Sequence, residues 1–392
     1  MTGSAGVVYD ETLTAYDFGP GHPLAPIRVD LTMRLARALG VLDLPDITMY
    51  DAPGATQQQL ELVHDADYVA AVKRAGDDPT RGDQRHGLGT ADNPTFAGMH
   101  EASAHIVGAT VEAARLVWAG DVLHGVSISG GLHHALANSA SGFCIYNDPA
   151  VAIASLLDRG ATKVAYVDID VHHGDGVQAA FYDDPRVLTI SLHETPSTLF
   201  PGTGDASESG GPGAEGSSVN VALPPGTADG GWLRAFHAVV PPLLRAFEPD
   251  VLVSQHGCDS HMDDPLAHLM LSVDGQRAAH LALHELAHEV SAGRWLVTGG
   301  GGYALTSVVP RTWAHLLAVA GGAPLEPSTA IPQVWRRHVE SVTGQRAPTS
   351  MTDGRQAGYV DWAEGHNPDV WLDRLIQQTR QEIFPFHGIS LG

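Results

Sequence analysis

The stretch VAYVDIDVHHGDG, residues 164–176, begins as a short apolar run and then turns abruptly polar. A short, continuous apolar run is typical of a strand buried inside a parallel sheet. Asp168, Asp170 and His172 alternate along an extended chain, so their side chains point to the same face. Two carboxylates and one imidazole on one face form a hard, mixed ligand set that suits a divalent cation such as zinc. The sequence therefore predicts a metal site at the end of a strand.

A regular alternation of strands and helices surrounds this stretch. Apolar runs predict strands at 125–129, 164–168, 187–192, 219–223, 251–255 and 295–298, with shorter candidates at 7–9 and 47–50. Helical patterns occur at 28–39, 57–63, 65–75, 99–118, 150–157, 177–182, 232–247, 276–290 and 306–320. Strands that alternate with helices predict an α/β fold, with a mainly parallel sheet and helices on both faces.

The last part of the chain breaks this alternation. Residues 323–392 contain several prolines and one later helical segment near 370–382. We therefore expect a catalytic domain over residues 1–322 and a C-terminal extension over 323–392 that packs on the same domain.

Composition excludes several classes of protein. A net charge of −23 argues against non-specific binding to nucleic acid or anionic membranes, which requires basic patches. Cys144 and Cys258 are the only cysteines, too few for a disulfide framework. The first residues show no signal peptide, and no apolar run is long enough to span a membrane. These features predict a soluble, cytoplasmic protein that has neither nucleic acid nor membrane as a partner; they do not predict its oligomeric state.

Polar side chains follow five of the predicted strands, at the point where each strand ends. They are His133 and His134, then Asp168 with Asp170 and His172, then His193, Asp259 and Tyr303. Parallel α/β sheets bind their ligands outside the carboxyl ends of the strands. Convergence of five strand ends on one edge predicts a single functional site there.

The residue types indicate how such a site would work. Asp170, His172 and Asp259 make a three-ligand set that leaves one position open, as catalytic zinc sites do. The adjacent pair His133 and His134 offers a general base and a general acid beside the metal.

Further residues complete this chemistry. Asp168 and Asp175 are suited to accept hydrogen bonds from the imidazoles and fix their tautomers. Tyr303 follows four glycines, so its phenol can approach a substrate carbonyl and stabilise an oxyanion. A metal-activated water, a base and an oxyanion donor together predict hydrolysis of an unreactive carbonyl such as an amide.

Five motifs together resemble the histone deacetylase superfamily, in its class I-like branch. They are GGLHHALANSASGFCIYND (130–148), YVDIDVHHGDGVQAAFYDD (166–184), SLHETPSTLFPGTGD (191–205), QHGCDS (255–260) and GGGGY (299–303). The opening YDFGPGHPLAPIR (16–28) is similar to that of the bacterial acetoin-utilisation (AcuC-type) deacetylases. The resemblance runs in order from about residue 7 to about residue 320. It implies the arginase/deacetylase α/β fold, with a central, mainly parallel eight-stranded sheet and helices on both faces.

The resemblance also implies roles for matching residues. The zinc ligands would be Asp170, His172 and Asp259, and the catalytic residues would be His134, His133, Tyr303, Asp168 (paired with His133) and Asp175 (paired with His134). The substrate-binding residues would be Phe143 and Phe200 as tunnel walls, Gly142 through its carbonyl, Asp92 at the rim and Arg28 in an internal channel.

The same resemblance implies structural monovalent cations, K⁺ or Na⁺, at two sites. The first would use Asp168, Asp170, His172, Ser191 and Leu192, and the second Phe181, Asp184 and Val187. Ser217 stands where relatives often have tyrosine, which departs from the pattern of the second site.

A second zinc motif competes with this interpretation. HELAH, residues 284–288, matches H-E-x-x-H, the pattern of a metalloprotease helix. The extended metzincin spacing would require glycine at 291 and histidine at 294, where Ser291 and Arg294 stand. We therefore expect the histidines at 280, 284 and 288 to lie on the solvent face of a helix that covers the sheet.

The prediction is a zinc-dependent amidohydrolase that removes acetyl groups from lysine side chains of proteins, with iron as the alternative native metal. An acyl-CoA synthetase is the kind of metabolic substrate that the resemblance implies. The first alternative is the same reaction on a small acetylated amine such as an acetylpolyamine. An arginase-like manganese hydrolase would need a further carboxylate-rich motif that is not evident, and a non-catalytic acetyl-lysine binding module would need neither the ligand set nor Tyr303.

Overall fold

The computed structural model describes residues 4–391 of the chain, and eight strands in that part form one sheet. The strands are β1 (Ala5–Val8), β2 (Ile47–Tyr50), β3 (His124–Ser127), β4 (Val164–Asp168), β5 (Val187–Glu194), β6 (Ser218–Leu223), β7 (Val251–Gln255) and β8 (Trp295–Thr298). Their order across the sheet is β2-β1-β3-β8-β7-β4-β5-β6, and each neighbouring pair is parallel. The predicted fold class, a parallel eight-stranded α/β sheet, is confirmed.

The strands are apolar on both faces because helices cover both. In β4, Ala165 and Val167 pack into one hydrophobic core, while Val164 and Tyr166 pack into the core on the opposite face. This alternation follows from the two-residue period of an extended chain. A strand that is buried on both sides cannot show the apolar–polar alternation of a half-exposed strand.

Eleven α-helices in the described residues form the two outer layers. They are α1 (Ile27–Ala38), α2 (Gln57–Leu60), α3 (Ala66–Asp77), α4 (Met99–Ala119), α5 (Asp148–Asp158), α6 (Asp175–Phe181), α7 (Asp229–Phe247), α8 (Val273–Val290), α9 (Val309–Ala320), α10 (Gln333–Thr343) and α11 (Trp371–Ile383). Buried residues of α2 to α6 belong to one core, and those of α1 and α7 to α11 belong to the other. No helix among residues 4–391 is long and apolar enough to cross a membrane.

The C-terminal segment contacts the rest of the chain through polar as well as apolar groups. Arg234 of α7 pairs with Asp373 of α11 at 2.9 Å, and both side chains are almost fully buried. The hydroxyl of Thr379 donates to the carbonyl of Asn220 on the edge strand β6 at 2.7 Å. Helix α11 therefore closes the β6 edge of the sheet.

The expectation for the histidines of α8 was wrong. His280 is buried, with only 1% of its surface exposed, and His284 and His288 are half-buried. The rings of His284 and His288 contact His124, the first residue of β3, with ring centroids 4.9 and 5.1 Å away. The three histidines therefore lie along the side of α8 that faces the sheet, because a neutral imidazole packs readily against aromatic neighbours.

The strand order explains where polar residues collect. The four central strands, β3, β8, β7 and β4, are consecutive neighbours in the sheet. All run in the same direction, so the loops after them emerge at one edge. We call this edge, with the loops that follow the central strands, the carboxyl edge, and the opposite one the amino edge.

Candidate metal and catalytic site

Three potential metal ligands from two strand ends meet at the carboxyl edge. Nδ1 of His172 lies 3.1 Å from Oδ1 of Asp170 and 3.2 Å from Oδ2 of Asp259. All three residues are buried, and their candidate ligand atoms lie within 4.8 Å of one another. Ligand atoms of a tetrahedral zinc ion with bonds of about 2.0–2.1 Å lie roughly 3.3 Å apart. The spacing therefore fits a divalent cation.

Hydrogen bonds and closely packed glycines hold these carboxylates in place. Oδ2 of Asp170 accepts hydrogen bonds from the side chain of Gln255 at 2.8 Å and from the backbone N–H of Gly301 at 2.7 Å. A Cβ atom on Gly257 would overlap with Asp170, and one on Gly301 would overlap with Asp259. Only glycine lets the backbone approach the ligands this closely.

The charges of the ligand set also favour a cation. Burial and repulsion from Asp170 raise the pKa of Asp259 to about 6. Burial alone would lower the pKa of His172, but hydrogen bonds and attraction from the two aspartates outweigh it and raise the pKa to about 10. Two carboxylates this close and this buried require a positive charge between them, which the imidazolium or a metal ion can supply.

The two adjacent histidines lie beside the ligand set, each held by its own aspartate. Nδ1 of His133 lies 2.7 Å from Asp168, and Nδ1 of His134 lies 2.6 Å from Asp175. Because an ionised carboxylate can only accept, each Nδ1 carries a proton. The two Nε2 atoms face each other at 3.1 Å.

This pair titrates asymmetrically. Burial would lower the pKa of His133, but attraction from Asp168 and Asp170 outweighs burial and raises the pKa to about 9. Burial and repulsion from His133 lower the pKa of His134 to about 4, despite the nearby Asp175. At neutral pH, His133 is cationic and His134 is neutral, so Nε2 of His134 is the one nitrogen of the pair without a proton.

Tyr303 lines the same pocket from the loop after β8. Its backbone N–H donates to Asp264 at 2.8 Å, which fixes the loop that carries the phenol. Burial raises the pKa of Tyr303 well above its usual value, with a further contribution from Asp259 and Asp170. The phenol therefore stays protonated and is able to donate a hydrogen bond.

A pocket of about 220 Å³ connects these groups to the surface. Its walls include Phe143, Phe200 and Leu266, and its floor reaches His134, His172 and Tyr303. Gly142 and Asp92 also border it, and Asp92 is exposed at the rim. The pocket is thus lined both by apolar side chains and by the polar groups of the candidate site.

Arg28 lies behind the site, in the interior. It is buried and donates to the carbonyl of Gly300 at 2.7 Å, on the loop that leads to Tyr303. A second, smaller cavity of about 20 Å³ includes Arg28 among its lining residues. The predicted internal position of Arg28 thus lies next to an internal space.

The residues assigned to monovalent cations fall in two groups. Asp168, Asp170, His172, Ser191 and Leu192 are all buried, and Asp168 of β4 lies opposite Ser191 of β5. In the second group, Asp184 forms an ion pair with Arg186 at 2.6 Å, and Phe181 and Val187 are buried. The hydroxyl of Ser217 is buried without a hydrogen-bond partner. The second group therefore offers a carboxylate that is already paired.

One strand-end histidine does not join the site. His193 lies within β5 rather than after it, and its ring binds the hydroxyl of Ser191 and the carbonyl of Gly204. Strand β5 extends past its apolar run to Glu194. The ring of His193 packs against that of His173, with ring centroids 4.8 Å apart.

Sequence reasoning missed three residues that shape the site. Asp148 is buried and accepts the backbone N–H groups of Gly131 and Leu132, which positions the loop of His133 and His134. Asp264 binds the backbone of Tyr303, and burial together with repulsion from Asp259 raises its pKa to about 7.

The third missed residue is Tyr16. Its hydroxyl donates to the carbonyl of Phe143 and accepts from the N–H of Ile145. Asp264 shares a loop with Asp259, which was a usable signal. Asp148 and Tyr16 lie within the quoted motifs, but the sequence does not indicate which backbone groups they contact.

The chain is similar to known proteins over most of its length. A family model described as the histone deacetylase domain matches residues 22–320. The chain is 41% identical to the acetoin utilization protein AcuC of Bacillus subtilis (strain 168) over 348 residues, which is 88% of this chain and 89% of that protein. It is 35% identical to AcuC of Staphylococcus xylosus over 364 residues, or 92% and 93% of the two chains.

Solved structures agree with this match. An HDAC homolog from Aquifex aeolicus superimposes with a TM-score of 0.84 and 26% identity, covering 96% of this chain and all of that one. An HDAC homolog complexed with SAHA superimposes with a TM-score of 0.82 and 27% identity, covering 97% of this chain and all of that one.

Proposed function

The chain belongs to the histone deacetylase family, as an AcuC-like deacetylase, and on that premise we propose that it hydrolyses acetylated lysine side chains of proteins with a bound zinc ion. The observation that carries the proposal is the set of residues that line the pocket. Its apolar walls suit the four-methylene stem of lysine, and its polar base lies where the acetyl amide would sit.

Asp170, His172 and Asp259 are the residues that would hold the metal ion. Two carboxylates and one imidazole with an open fourth position match the ligand pattern of catalytic zinc sites. When bound, a divalent cation supplies Lewis acidity to a carbonyl oxygen and to a water molecule. Iron(II) could occupy the same mixed ligand set, so the native metal belongs to the proposal.

His134 is the proton carrier in the proposed mechanism. Its neutral state and its Asp175 partner leave Nε2 able to accept a proton from the attacking water. The same nitrogen then donates that proton to the departing amine. His133, held cationic by Asp168, keeps His134 from being protonated before the water attacks.

Tyr303 is the proposed oxyanion donor. Tyr303 lines the pocket, and its protonated phenol would donate to the carbonyl oxygen as negative charge develops. In this proposal the carbonyl of Gly142 would accept the substrate amide N–H, and Asp92 at the rim would accept backbone N–H groups of a bound peptide; both residues border the pocket. We include in the proposal a K⁺ or Na⁺ ion beside Asp168 and Ser191.

The physiological substrate in this proposal is an acetylated metabolic enzyme. The relatives in Bacillus subtilis and Staphylococcus xylosus are named acetoin utilization proteins. An acyl-CoA synthetase with an acetylated lysine is a substrate of the kind expected in such metabolism.

The test compares acetyl-lysine peptides with acetylputrescine as substrates of the zinc-loaded protein. We expect the peptide to have the higher kcat/KM, and Asp92→Ala to raise KM for the peptide while leaving acetylputrescine unchanged. His134→Ala serves as the inactive control. A higher kcat/KM for acetylputrescine would favour a small-amine amidohydrolase, and hydrolysis of neither substrate would refute the proposal.

A further inference from the structure

A second group of potential metal ligands lies at the amino edge of the sheet. His124 is the first residue of β3, while His284 and His288 come from the HELAH segment of α8. Candidate ligand atoms of the three imidazoles lie within 4.8 Å of one another. Since β3 runs from His124 toward the loop of His133 and His134, this three-histidine cluster and the candidate active site lie at opposite edges of the sheet.

His124 is oriented as a ligand would be. It is completely buried, and its Nδ1 lies 2.6 Å from the carbonyl oxygen of Ala320. A carbonyl can only accept, so Nδ1 carries the proton and Nε2 presents a lone pair. Histidines that bind metals nearly always donate their other N–H to a carbonyl, a carboxylate or water in this way.

The two helical histidines complete the arrangement. They are four residues apart, so they project from the same side of α8. Nε2 of His288 lies 3.2 Å from Nε2 of His124, close to the spacing of roughly 3.3 Å between two nitrogens on a tetrahedral zinc ion. Nε2 of His284 is buried and has no hydrogen-bond partner.

The unpartnered Nε2 of His284 is free to coordinate an ion. A buried polar atom without a partner costs on the order of 1–3 kcal/mol, so such atoms are rare in native proteins. Trp295 packs against both His124 and His284, at 5.5 and 5.7 Å between ring centroids, which helps to fix these two rings.

We infer that His124, His284 and His288 bind a second divalent metal ion, Zn²⁺, in a three-histidine site separate from the active site. Imidazole is a preferred ligand of zinc, and three histidines with one further position for water form a known type of zinc coordination. Burial lowers the pKa of all three imidazoles, to about 4 for His124 and His284. They are therefore neutral and able to coordinate at neutral pH.

The site differs from that of a metalloprotease, although HELAH fits the H-E-x-x-H pattern. The third ligand comes from a strand more than 150 residues earlier in the chain, rather than from a residue after the helix. Glu285 lies on the exposed side of α8, whereas the histidines face the sheet. The inferred role is structural: the ion would join α8 to the first residue of β3.

The test counts metal ions per chain. The full-length protein is stripped with a chelator, reloaded with excess Zn²⁺, freed of unbound metal and analysed by plasma mass spectrometry. We expect two zinc ions per wild-type chain and one in the double variant His284→Gln/His288→Gln, which keeps its deacetylase activity. Asp170→Asn/Asp259→Asn should also retain one ion but lose activity.

Two further variants make the result interpretable. Glu285→Gln removes the carboxylate of the motif on the exposed side of α8 and should keep two ions. His288→Gln alone alters only a half-buried side chain and should fold even where the double variant fails. Titration of the Asp170→Asn/Asp259→Asn variant with Co²⁺ should produce one visible d–d absorption band from the three-histidine site. One zinc ion in the wild type, equal zinc in wild type and His288→Gln, or no cobalt band would each overturn the inference.

Discussion

Each edge of the sheet carries three potential metal ligands at similar spacing, but the groups around them differ. At the carboxyl edge, His172 lies 3.1 and 3.2 Å from two buried aspartates. At the amino edge, two histidine nitrogens lie 3.2 Å apart next to a third, unpartnered one. The carboxyl-edge cluster adjoins a pocket of about 220 Å³ that is also lined by a neutral histidine and a protonated phenol. A metal site becomes catalytic through what borders its open position, and the ligands alone do not decide it.

The two clusters also differ in charge. Two ionised carboxylates would neutralise a divalent ion at the carboxyl edge, whereas three neutral imidazoles would leave its full charge at the amino edge. Opposite charges attract strongly in a buried setting. We therefore expect a chelator to remove the ion from the amino edge first.

The largest expected effect comes from breaking the carboxyl-edge ligand set. Asp259→Ala removes one ligand and with it the Lewis acid, and we expect deacetylation to fall about 10³-fold or more. His288→Gln is the matched ligand change at the amino edge, and it should leave the rate within about twofold because no substrate group lies there. The measurement is kcat/KM on an acetyl-lysine peptide. A similar loss of kcat/KM in both variants would contradict the proposal that the carboxyl edge is catalytic and the amino edge is structural.

The next effect tests a group that is present at only one edge. Tyr303→Phe removes the phenolic donor but no ligand, so kcat should fall about 10²–10³-fold, the usual range for loss of an oxyanion donor. Zinc content should equal that of the wild type. Tyr359→Phe, which alters a partly exposed phenol stacked on His237, is the control and should be fully active. Wild-type kcat in Tyr303→Phe would remove the phenol from the mechanism.

A smaller effect is expected from the partner of the proton carrier. Asp175→Asn keeps a hydrogen-bond acceptor near Nδ1 of His134 but removes the negative charge that stabilises the imidazolium. Loss of such a partner usually costs about 10–100-fold in activity. We expect the loss in kcat with little change in KM. Asp183→Asn, an exposed aspartate just after α6, is the control, and equal kcat in the two variants would argue against a role for Asp175.

A substitution in the C-terminal segment should have the smallest effect on the rate but a measurable effect on stability. Asp353 accepts a hydrogen bond from His261 at 2.9 Å and one from the backbone of Val273 at 2.8 Å, and it pairs with Arg311. His261 lies just after Asp259 in the loop at the carboxyl edge. Asp353→Asn should therefore lower stability at pH 7 by about 1–3 kcal/mol, measured by urea unfolding, with a nearly unchanged rate.

The pH dependence of this stability difference follows from the pKa of Asp353. Burial would raise that pKa, but the hydrogen bonds from His261 and Val273 and the charge of Arg311 outweigh burial and hold the pKa well below its usual range. A carboxyl whose pKa is lowered by folding stabilises the protein above its unfolded pKa, about 3.9, and loses this contribution as the pH falls further. The gap between wild type and Asp353→Asn should narrow below pH 4. A constant gap, or one matched by the exposed Asp369→Asn, would contradict this account.

The sequence predicted the sheet and the central residues of the carboxyl edge for a physical reason. Apolar runs that are buried on both faces are recognisable, and the polar residues that follow them must lie at one edge when the strands are parallel. Thus Asp170, His172 and Asp259 could be grouped although they come from different parts of the chain. Asp148 could not, because its contacts with Gly131 and Leu132 depend on how α5 docks against a distant loop.

Two helices show the limit of periodicity. Helix α10 buries only Trp335 and Val339, so its apolar pattern is too sparse to stand out from the surrounding polar residues. In α8, the histidines border the apolar stripe that contains Leu283 and Ala287. Histidine occurs on either side of such a border, so the sequence alone does not indicate that His284 faces the sheet. The contact of His284 with His124 in the folded chain shows that it does.

Gly257 and Gly301 restrict how this enzyme can diversify. Any side chain at either position would displace a carboxylate of the ligand set, so mutation cannot reshape the floor of the pocket one residue at a time. The rim is different, because Asp92 and Phe200 are exposed and bordered by solvent. New substrate preferences should therefore arise at the rim, during natural divergence and in laboratory evolution alike, while the floor is inherited unchanged.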